Sequence, residues 1–309
     1  MDIKNKKIVV TGGAGFVGSF VVEKLKEKGA ANIFVPLSKD FDLREKETCV
    51  KVAKGADIVI HLAAQIGGIG FIDEHPGEIF YNNIIMGVQL MEEARKAGVE
   101  KFVGIGTACE YPESIPLPFK EEDIWKGSPE DVTAPYGWAK KMLLIQADAY
   151  KKQYGFNAIH VLPVNLYGPG DNFDKSSSHV IPSLIRKVID SCNRNAEFVE
   201  VWGTGKATRE FLYAEDAAEG IILATERYDD SKPLNIGTGI ETSIEKVTEI
   251  IMELTNYKGS IKWNTKEPDG QPRRQLDVSR AKKLGFVAKI PLRAGLEKTI
   301  KWYEQSRKK

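Results

Sequence analysis

Lys7-Ile-Val-Val-Thr-Gly12-Gly13-Ala-Gly15-Phe-Val-Gly18 decides the fold of this chain. A short β-branched run stops at a glycine cluster, and the amphipathic stretch Gly15–Lys28 follows at once. Glycine allows the tight turn and close backbone approach by which a strand hands over to a helix. The helix N-terminus then offers unpaired N–H groups and the positive end of its dipole to a pyrophosphate. The glycines fit two spacings, GxxGxxG through Gly12, Gly15 and Gly18, or GxGxxG through Gly13, Gly15 and Gly18. A sharp turn that binds nothing also needs glycines, so it is the strand before and the helix after that point to a dinucleotide.

Working outward, the alternation continues. Asn32–Val35 precedes a charged helical stretch, Asp57–His61 precedes Pro76–Ala97, and Lys101–Ile105 is followed by a helix over Tyr136–Tyr154 and a strand over Asn157–Leu162. That rhythm predicts βαβ units, an α/β fold with a doubly wound parallel sheet of the Rossmann type. After Asn165 the pattern changes: Gly168, Pro169 and Gly170 mark a turn, Asp171–Ser178 is polar, and a helix is expected from His179 to Asp190. We therefore expect a dinucleotide-binding domain over 1–165 and a smaller, mainly C-terminal α/β substrate lobe over 166–309. That lobe is discontinuous, because the helix within Arg209–Arg227, part of 209–238, is expected to return to the first domain. The charged tail Gln305–Lys309 reads as a frayed helix end.

With 309 residues the chain has ample apolar material for two lobes, and its 44 basic and 43 acidic residues leave a net charge of +1. No electrostatic footprint for nucleic acid or an anionic membrane follows from such a balance. Cys49, Cys109 and Cys192 are far apart and show no metal-ligand spacing, which excludes a zinc ribbon or disulfide framework and fits a reducing, cytoplasmic setting. The apolar stretch Ile8–Val22 is broken by four glycines and reads as neither signal peptide nor membrane span.

The end of the second strand selects the nicotinamide. An acidic residue there holds the ribose hydroxyls, and a basic one favours the extra phosphate. Here Val35-Pro-Leu-Ser38-Lys39-Asp40 places no carboxylate directly after the strand. Ser38 and Lys39 favour NADP(H), while NAD(H) stays open because Lys39 reads equally as a solvated loop charge. Farther on, Tyr136-Gly-Trp-Ala-Lys140 puts a phenol and an ammonium one helical turn apart on one face. Lowering a phenol from about 10 by about three units takes roughly 4 kcal/mol of differential stabilisation, which a neighbouring cation in a dry site supplies. The same spacing also serves as a core-edge aromatic beside a solvated charge. Thr107, at the carboxyl end of the fourth strand, places a hydroxyl where ligands of open parallel sheets bind.

Together these stretches resemble the extended short-chain dehydrogenase/reductase family, and within it the GDP-L-fucose synthases, along nearly the whole chain. The likeness is carried by His61-Leu-Ala-Ala-Gln-Ile-Gly-Gly68, Gly106-Thr-Ala-Cys-Glu-Tyr-Pro112, Ala134–Lys140 and Asn165–Phe173, and by Ser178-His-Val-Ile-Pro182, Val201–Gly205, Arg209–Leu212 and Pro268-Asp-Gly-Gln-Pro-Arg273. The resemblance implies NADP(H)-dependent conversion of GDP-4-keto-6-deoxy-mannose by C3/C5 epimerisation and C4 reduction. Tyr136 would then be the proton donor at C4, Lys140 its partner on the nicotinamide ribose, and Thr107 an orienting hydroxyl. Cys109 and His179 would form the epimerising acid/base pair, with a buried small side chain and a helix cap as their plainer alternatives.

It also implies cofactor contacts at Gly12, Gly13, Gly15, Phe16, Val17 and Gly18, at Ser38, Lys39, Asp42 and Leu43, at Leu62, Ala63 and Ala64, and at Pro163, Asn165, Leu166 and His179. Substrate contacts fall to Thr107, Asn165, Lys187, Trp202, Arg209 and Asp269. Trp202 reads equally as packing between lobes, and Asp269 equally as turn chemistry. The sequence departs from the family pattern at Thr107, usually serine, at Lys187, usually arginine, and at Ala14 and Leu37, where arginines that recognise the NADP phosphate are usual. A redox-neutral nucleotide-sugar epimerase holding NAD tightly would use the same residues, and a non-catalytic dinucleotide sensor would keep the fold alone. The family also implies a homodimer through Pro76–Ala97 and Tyr136–Tyr154, whose apolar positions packing on their own sheet explains as well.

Overall fold

The computed structural model describes residues 1–267 and 269–307. Pro268, which opens the Pro268–Arg273 motif, and Lys308 and Lys309 of the expected frayed tail lie outside the described residues.

Alternation of strand and helix builds the first layer set: β1 (Lys7–Thr11), α1 (Phe16–Glu27), β2 (Asn32–Phe34), α2 (Lys46–Ala53), β3 (Ile58–His61), α3 (Ile69–Glu74), α4 (Pro76–Lys96), β4 (Lys101–Ile105), α5 (Ala134–Tyr154) and β5 (Ala158–Pro163). The strand order is β2-β1-β3-β4-β5, with a sixth strand, β9 (Leu234–Ile236), beside β5, and every pairing is parallel. A parallel sheet covered on both faces needs apolar side chains on both, and β1 shows how. Ile8 and Val10 enter one core with Val21 and Leu25 of α1, while Val9 enters the other with Leu90 and Met91 of α4 and Leu143 of α5.

Beyond β5 the chain forms β6 (Asn165–Tyr167), α6 (Val180–Asn193), β7 (Phe198–Trp202), β8 (Thr208–Tyr213) and α7 (Ala214–Arg227). After β9 come β10 (Glu241–Ser243), α8 (Ile244–Leu254), β11 (Ser260–Asn264), β12 (Arg273–Arg274), α9 (Ser279–Leu284) and α10 (Leu292–Ser306). β8 is the centre of a small mixed sheet, parallel to β6 and β12 and antiparallel to β10, while β7 and β11 pair separately. Helices α6, α8 and α10 close a third core around Ile185, Val199, Phe211, Ile251 and Leu296. Helix α7 packs on α1, and its Ala217, Ile221 and Ala224 join the first core. Ala281 and Phe286, from α9 and just beyond it, join that core as well.

The switch in strand order between β1 and β3 opens a crevice at the carboxyl ends of the strands, where open α/β sheets bind ligands. The second lobe stands over it. Among the described residues, no helix is long and apolar enough to cross a membrane.

Candidate active site

One cavity of about 1560 Å³ runs from the glycine turn, past the ends of β3, β4 and β5, to α6 and β8 of the second lobe. A site of that size exceeds the several hundred Å³ typical of a single small ligand. Every residue assigned to cofactor or substrate lines it except Gly13. A Cβ at Gly13 would meet the Val10 carbonyl oxygen at 2.8 Å and the Val35 side chain at 3.0 Å, so that glycine serves strand-to-strand packing. The working pattern is thus GxxGxxG. At Gly18 a Cβ would fall 2.0 Å from the Gly12 carbonyl oxygen, so the turn lies directly against the first turn of α1. Gly15 caps that helix with no side-chain bond, leaving its leading N–H groups for an anion. A cradle so bare of side chains, at the end of so large a cavity, fits a dinucleotide.

At the other end of the glycine turn, Ser38 and Lys39 stand exposed on the cavity wall. Arg44 stands there too, its guanidinium forked onto Asp42 through bonds of 2.6–3.1 Å. Positions Ala14 and Leu37 carry no cation, and Arg44 supplies one from the charged run that leads into α2. Sequence reasoning missed it because a basic residue among acidic ones resembles any solvated helix start.

Strand β4 ends at Ile105, and Thr107 then caps a short 3-10 turn over Ala108–Glu110. Its hydroxyl accepts from the Cys109 N–H at 3.2 Å, while Glu110 accepts from the Thr107 N–H at 2.9 Å. The cap fixes Cys109, whose carbonyl lies so close to α5 that a Cβ on Gly137 would fall 2.4 Å away. Glu110 is fully buried and bonded to His160 Nε2 at 2.9 Å. Pro135 in its first turn starts α5, which places Tyr136 (8% exposed) and Lys140 (2% exposed) on the cavity wall, with the ammonium 5.9 Å from the phenol ring centre.

The lysine was expected to lower the phenol pKa. In the structure Tyr136 is pushed up, first by burial and then by the charges of Cys109 and Glu110. Burial lowers Lys140 to about 8 against a weaker pull from Glu110. Loss of water disfavours both charged forms more than the pair can offset. Beneath them His61 bonds Thr11 Oγ1 at 2.8 Å and is lowered to about 3 by burial and the Lys140 charge.

His179 immediately precedes α6, yet its side chain makes no cap bond. Solvent reaches the imidazole through the cavity, while the protein crowding it lowers its pKa by desolvation. Trp202 is not packed between lobes: it is 56% exposed, with Lys187 Nζ 5.2 Å above its ring. Arg209 donates to the backbone oxygens of Thr208 (2.8 Å) and Gln271 (2.5 Å), and burial together with the Arg274 charge lowers it to about 10. Asp269 accepts from the Thr204 N–H at 2.7 Å and hydroxyl at 2.8 Å, which are folding contacts. Asn165 and Leu166 begin β6, and Pro163 ends β5.

Arg274, Glu130 and Asp171 also line the wall and escaped the sequence. Arg274 donates to Cys109 Sγ at 3.4 Å and to Glu130 at 3.0 Å. Asp171, 7% exposed, accepts from the Asn172 N–H at 2.7 Å through one oxygen, and its other oxygen has no partner among the described residues; burial raises it to about 7.

Residues 8–237 match the model of the NAD dependent epimerase/dehydratase family. A probable GDP-L-fucose synthase 1 of Oryza sativa subsp. japonica is 34% identical, the alignment covering 98% of this chain and 93% of the relative. A solved GDP-6-OMe-4-keto-L-xylo-heptose reductase from C. jejuni superposes with a TM-score of 0.91 at 27% identity, covering 98% of this chain and 99% of the other. A GDP-L-fucose synthetase from Naegleria fowleri, solved bound to NADP, gives 0.88 at 27% identity, covering 99% and 96%.

Proposed function

This chain belongs to the NAD dependent epimerase/dehydratase family, and we propose that it is an NADP(H)-dependent epimerase/reductase of GDP-linked sugars that converts GDP-4-keto-6-deoxy-mannose to GDP-L-fucose. The observation that carries this reading is the convergence of Tyr136 and Lys140 with Cys109 and His179 on one cavity. Epimerisation joined to reduction needs both proton-transfer centres, and net cofactor oxidation separates it from a redox-neutral epimerase that would use the same residues. The names of the rice and Naegleria relatives support this reading, and the name of the heptose reductase supports a GDP-linked sugar as the wider substrate class.

The chemistry follows from this chain's own groups. A C4 ketone acidifies the protons on C3 and C5, so a group on each side can remove one proton and return another through an enolate. Cys109 and His179 take those two positions. A reduced nicotinamide held at the glycine turn would supply hydride chemistry at C4, and Tyr136 is the group placed to give its proton to the oxygen there. The raised phenol pKa suits a donor, because the group enters the step protonated. Lys140 holds the ribose and sets the charge beside the phenol, and Thr107 orients the sugar through the hydroxyl hydrogen that its cap leaves free. Arg209 and Lys187 meet the diphosphate, Trp202 offers a face to the base or ribose, and Ser38, Lys39 and Arg44 meet the adenosine phosphate.

The exposed apolar residues Phe80 and Tyr81 of α4 and Ile145 of α5 support a homodimer, with a second copy as the partner of this face. Light scattering on a size-exclusion column at micromolar concentration is expected to give twice the chain mass, and a monomer would refute it.

The test is to follow the absorbance of reduced nicotinamide with purified protein, GDP-4-keto-6-deoxy-mannose, and NADPH or NADH in parallel. Substrate-dependent oxidation, faster with NADPH, is expected. No oxidation with either, from folded protein that binds the cofactor, would replace this function with redox-neutral epimerisation or another GDP-linked sugar.

A further inference from the structure

Strand β12 consists of two arginines that the strand alternation sends to opposite sides. Arg273 leaves the site and pairs with Glu241 at the surface. Arg274 enters the cavity, its side chain only 12% exposed, and spends its donors on three acceptors. Nε donates to Gln271 Oε1 at 2.9 Å, Nη2 to Glu130 Oε2 at 3.0 Å, and Nη1 to Cys109 Sγ at 3.4 Å. Gln271 belongs to the loop before β12, while the other two come from distant parts of the chain, the segment leading into α5 and the turn after β4. Cys109 is already fixed at its backbone, through its N–H on Thr107 and its carbonyl against Gly137. Only rotation about Cα–Cβ is left to aim the sulfur, and Arg274 is the group that holds it.

We propose that Arg274 is the positioning residue of the epimerising thiol: it aims Cys109 Sγ into the cavity and shares the negative charge of the sulfur whenever the thiol has given up its proton. This rests on the epimerase/reductase function proposed above and assigns a step within it to a residue of the second lobe. In that step the thiolate takes a proton from the carbon next to the C4 ketone, and the C–H electron pair moves into an enolate. A proton returns to the opposite face from His179, so nothing is oxidised or reduced. A guanidinium suits the task because it stays charged throughout and is anchored at both other nitrogens, so it does not swing away between turnovers. Glu130 anchors the fork and keeps the arginine from turning to the substrate diphosphate, which leaves Arg209, its register partner on β8, for that contact.

The test uses Arg274→Met and Arg274→Lys in the full chain with cofactor bound. Iodoacetamide labelling of Cys109, read by peptide mass mapping, needs no sugar and is expected to slow several-fold in Arg274→Met and recover in Arg274→Lys. Deuterium uptake from heavy water at C3 and C5 of GDP-4-keto-6-deoxy-mannose is expected to fall roughly tenfold or more in Arg274→Met. NADPH oxidation would then continue by reduction of the unepimerised ketone, changing the product. Unchanged or faster labelling in Arg274→Met overturns the proposal. So does a parallel fall of deuterium uptake, hydride transfer and NADPH binding, which a structural role produces. Wild-type protein that labels as expected but takes up no deuterium leaves the Arg274–Cys109 pairing standing, refutes the epimerising role, and identifies the proposed function as the part that failed.

Discussion

Replacing Asp171 with asparagine should stabilise the cofactor-free protein at neutral pH and above and leave it nearly unchanged in acid. The carboxyl lies in the polar loop after β6, 7% exposed, with one oxygen on the Asn172 N–H and the other without a partner among the described residues. Burial raises its pKa from an ordinary 3.8 to about 7. The folded chain therefore binds this proton more tightly than the unfolded chain. The stabilisation it brings is full below the ordinary carboxylate value and fades as pH rises through about 7. A difference of about three units at 1.36 kcal/mol each sets an upper limit of about 4 kcal/mol, and relaxation of the loop or entry of water reduces this to about half. Asparagine has nearly the same shape and never ionises. Urea unfolding followed by circular dichroism, at a series of pH values from about 4 to about 8.5, gives both stabilities. The wild-type value minus the variant value should fall with a slope approaching 1.4 kcal/mol per pH unit across the middle of that range, then level off. A difference that does not change with pH would refute the assignment of an unpaired buried carboxyl.

Gly18→Ala forces a Cβ to within 2.0 Å of the Gly12 carbonyl oxygen, a backbone atom that cannot step aside. Fluorescence titration should show NADPH binding weakened roughly tenfold or more, with stability lower by about 1–3 kcal/mol; near-normal binding would mean the turn is not the pyrophosphate cradle. Arg44→Ala should weaken NADPH several-fold and leave NADH unchanged, since only the former carries the extra phosphate; equal effects on both would remove Arg44 from that contact. Lys140, lowered to about 8 by burial, loses its charge as pH rises through that value. kcat/KM should therefore fall above about pH 8, and Lys140→Met should lower kcat about 100-fold and abolish that limb; a wild-type profile flat beyond pH 9 would contradict the role given to its charge.

Much of the first lobe is legible in the chain because its signals are local. The run from Lys7 to Thr11 is apolar on both faces, which fits a covered parallel strand, and the glycines that follow give the turn. Expected helices over Pro76–Ala97 and Tyr136–Tyr154 match Pro76–Lys96 and Ala134–Tyr154 because amphipathic periodicity persists over more than five turns. The second lobe is built from pieces too short to show a period: β6 and β10 have three residues and β12 has two. Arg274 is the clearest case. Its neighbour is another arginine, its three acceptors lie 3, 144 and 165 residues away, and nothing local distinguishes the inward member of the pair. Asp171 was hidden for the opposite reason. Asp-Asn in a polar run reads as a solvated turn, but Phe173 stacks on Tyr303 of α10 at 4.2 Å and draws the loop into the third core.

Burial pushes Tyr136 upwards and Lys140 down to about 8 on the cavity floor, and lowers His61 beneath them to about 3, so that at neutral pH the phenol is neutral while Lys140 keeps its charge. Other formal charges of the cavity have a partner, as in Arg274 with Glu130, or lie on the outer wall, where Lys187 faces Trp202. The division has a mechanistic consequence. In the proposed reaction a nucleoside diphosphate would be drawn to the cations of the second lobe, so that its binding energy could position the sugar without adding charge beside Tyr136. Tyr136, as the proposed proton donor, would then meet the C4 oxygen as a neutral phenol, which gives up its proton only as negative charge develops on the acceptor. A phenol ionised before hydride arrived would leave the new alkoxide without a proton. Keeping the diphosphate-binding cations apart from Tyr136 and the single charge of Lys140 is what would let one cavity hold a doubly charged ligand and still donate a proton beside it.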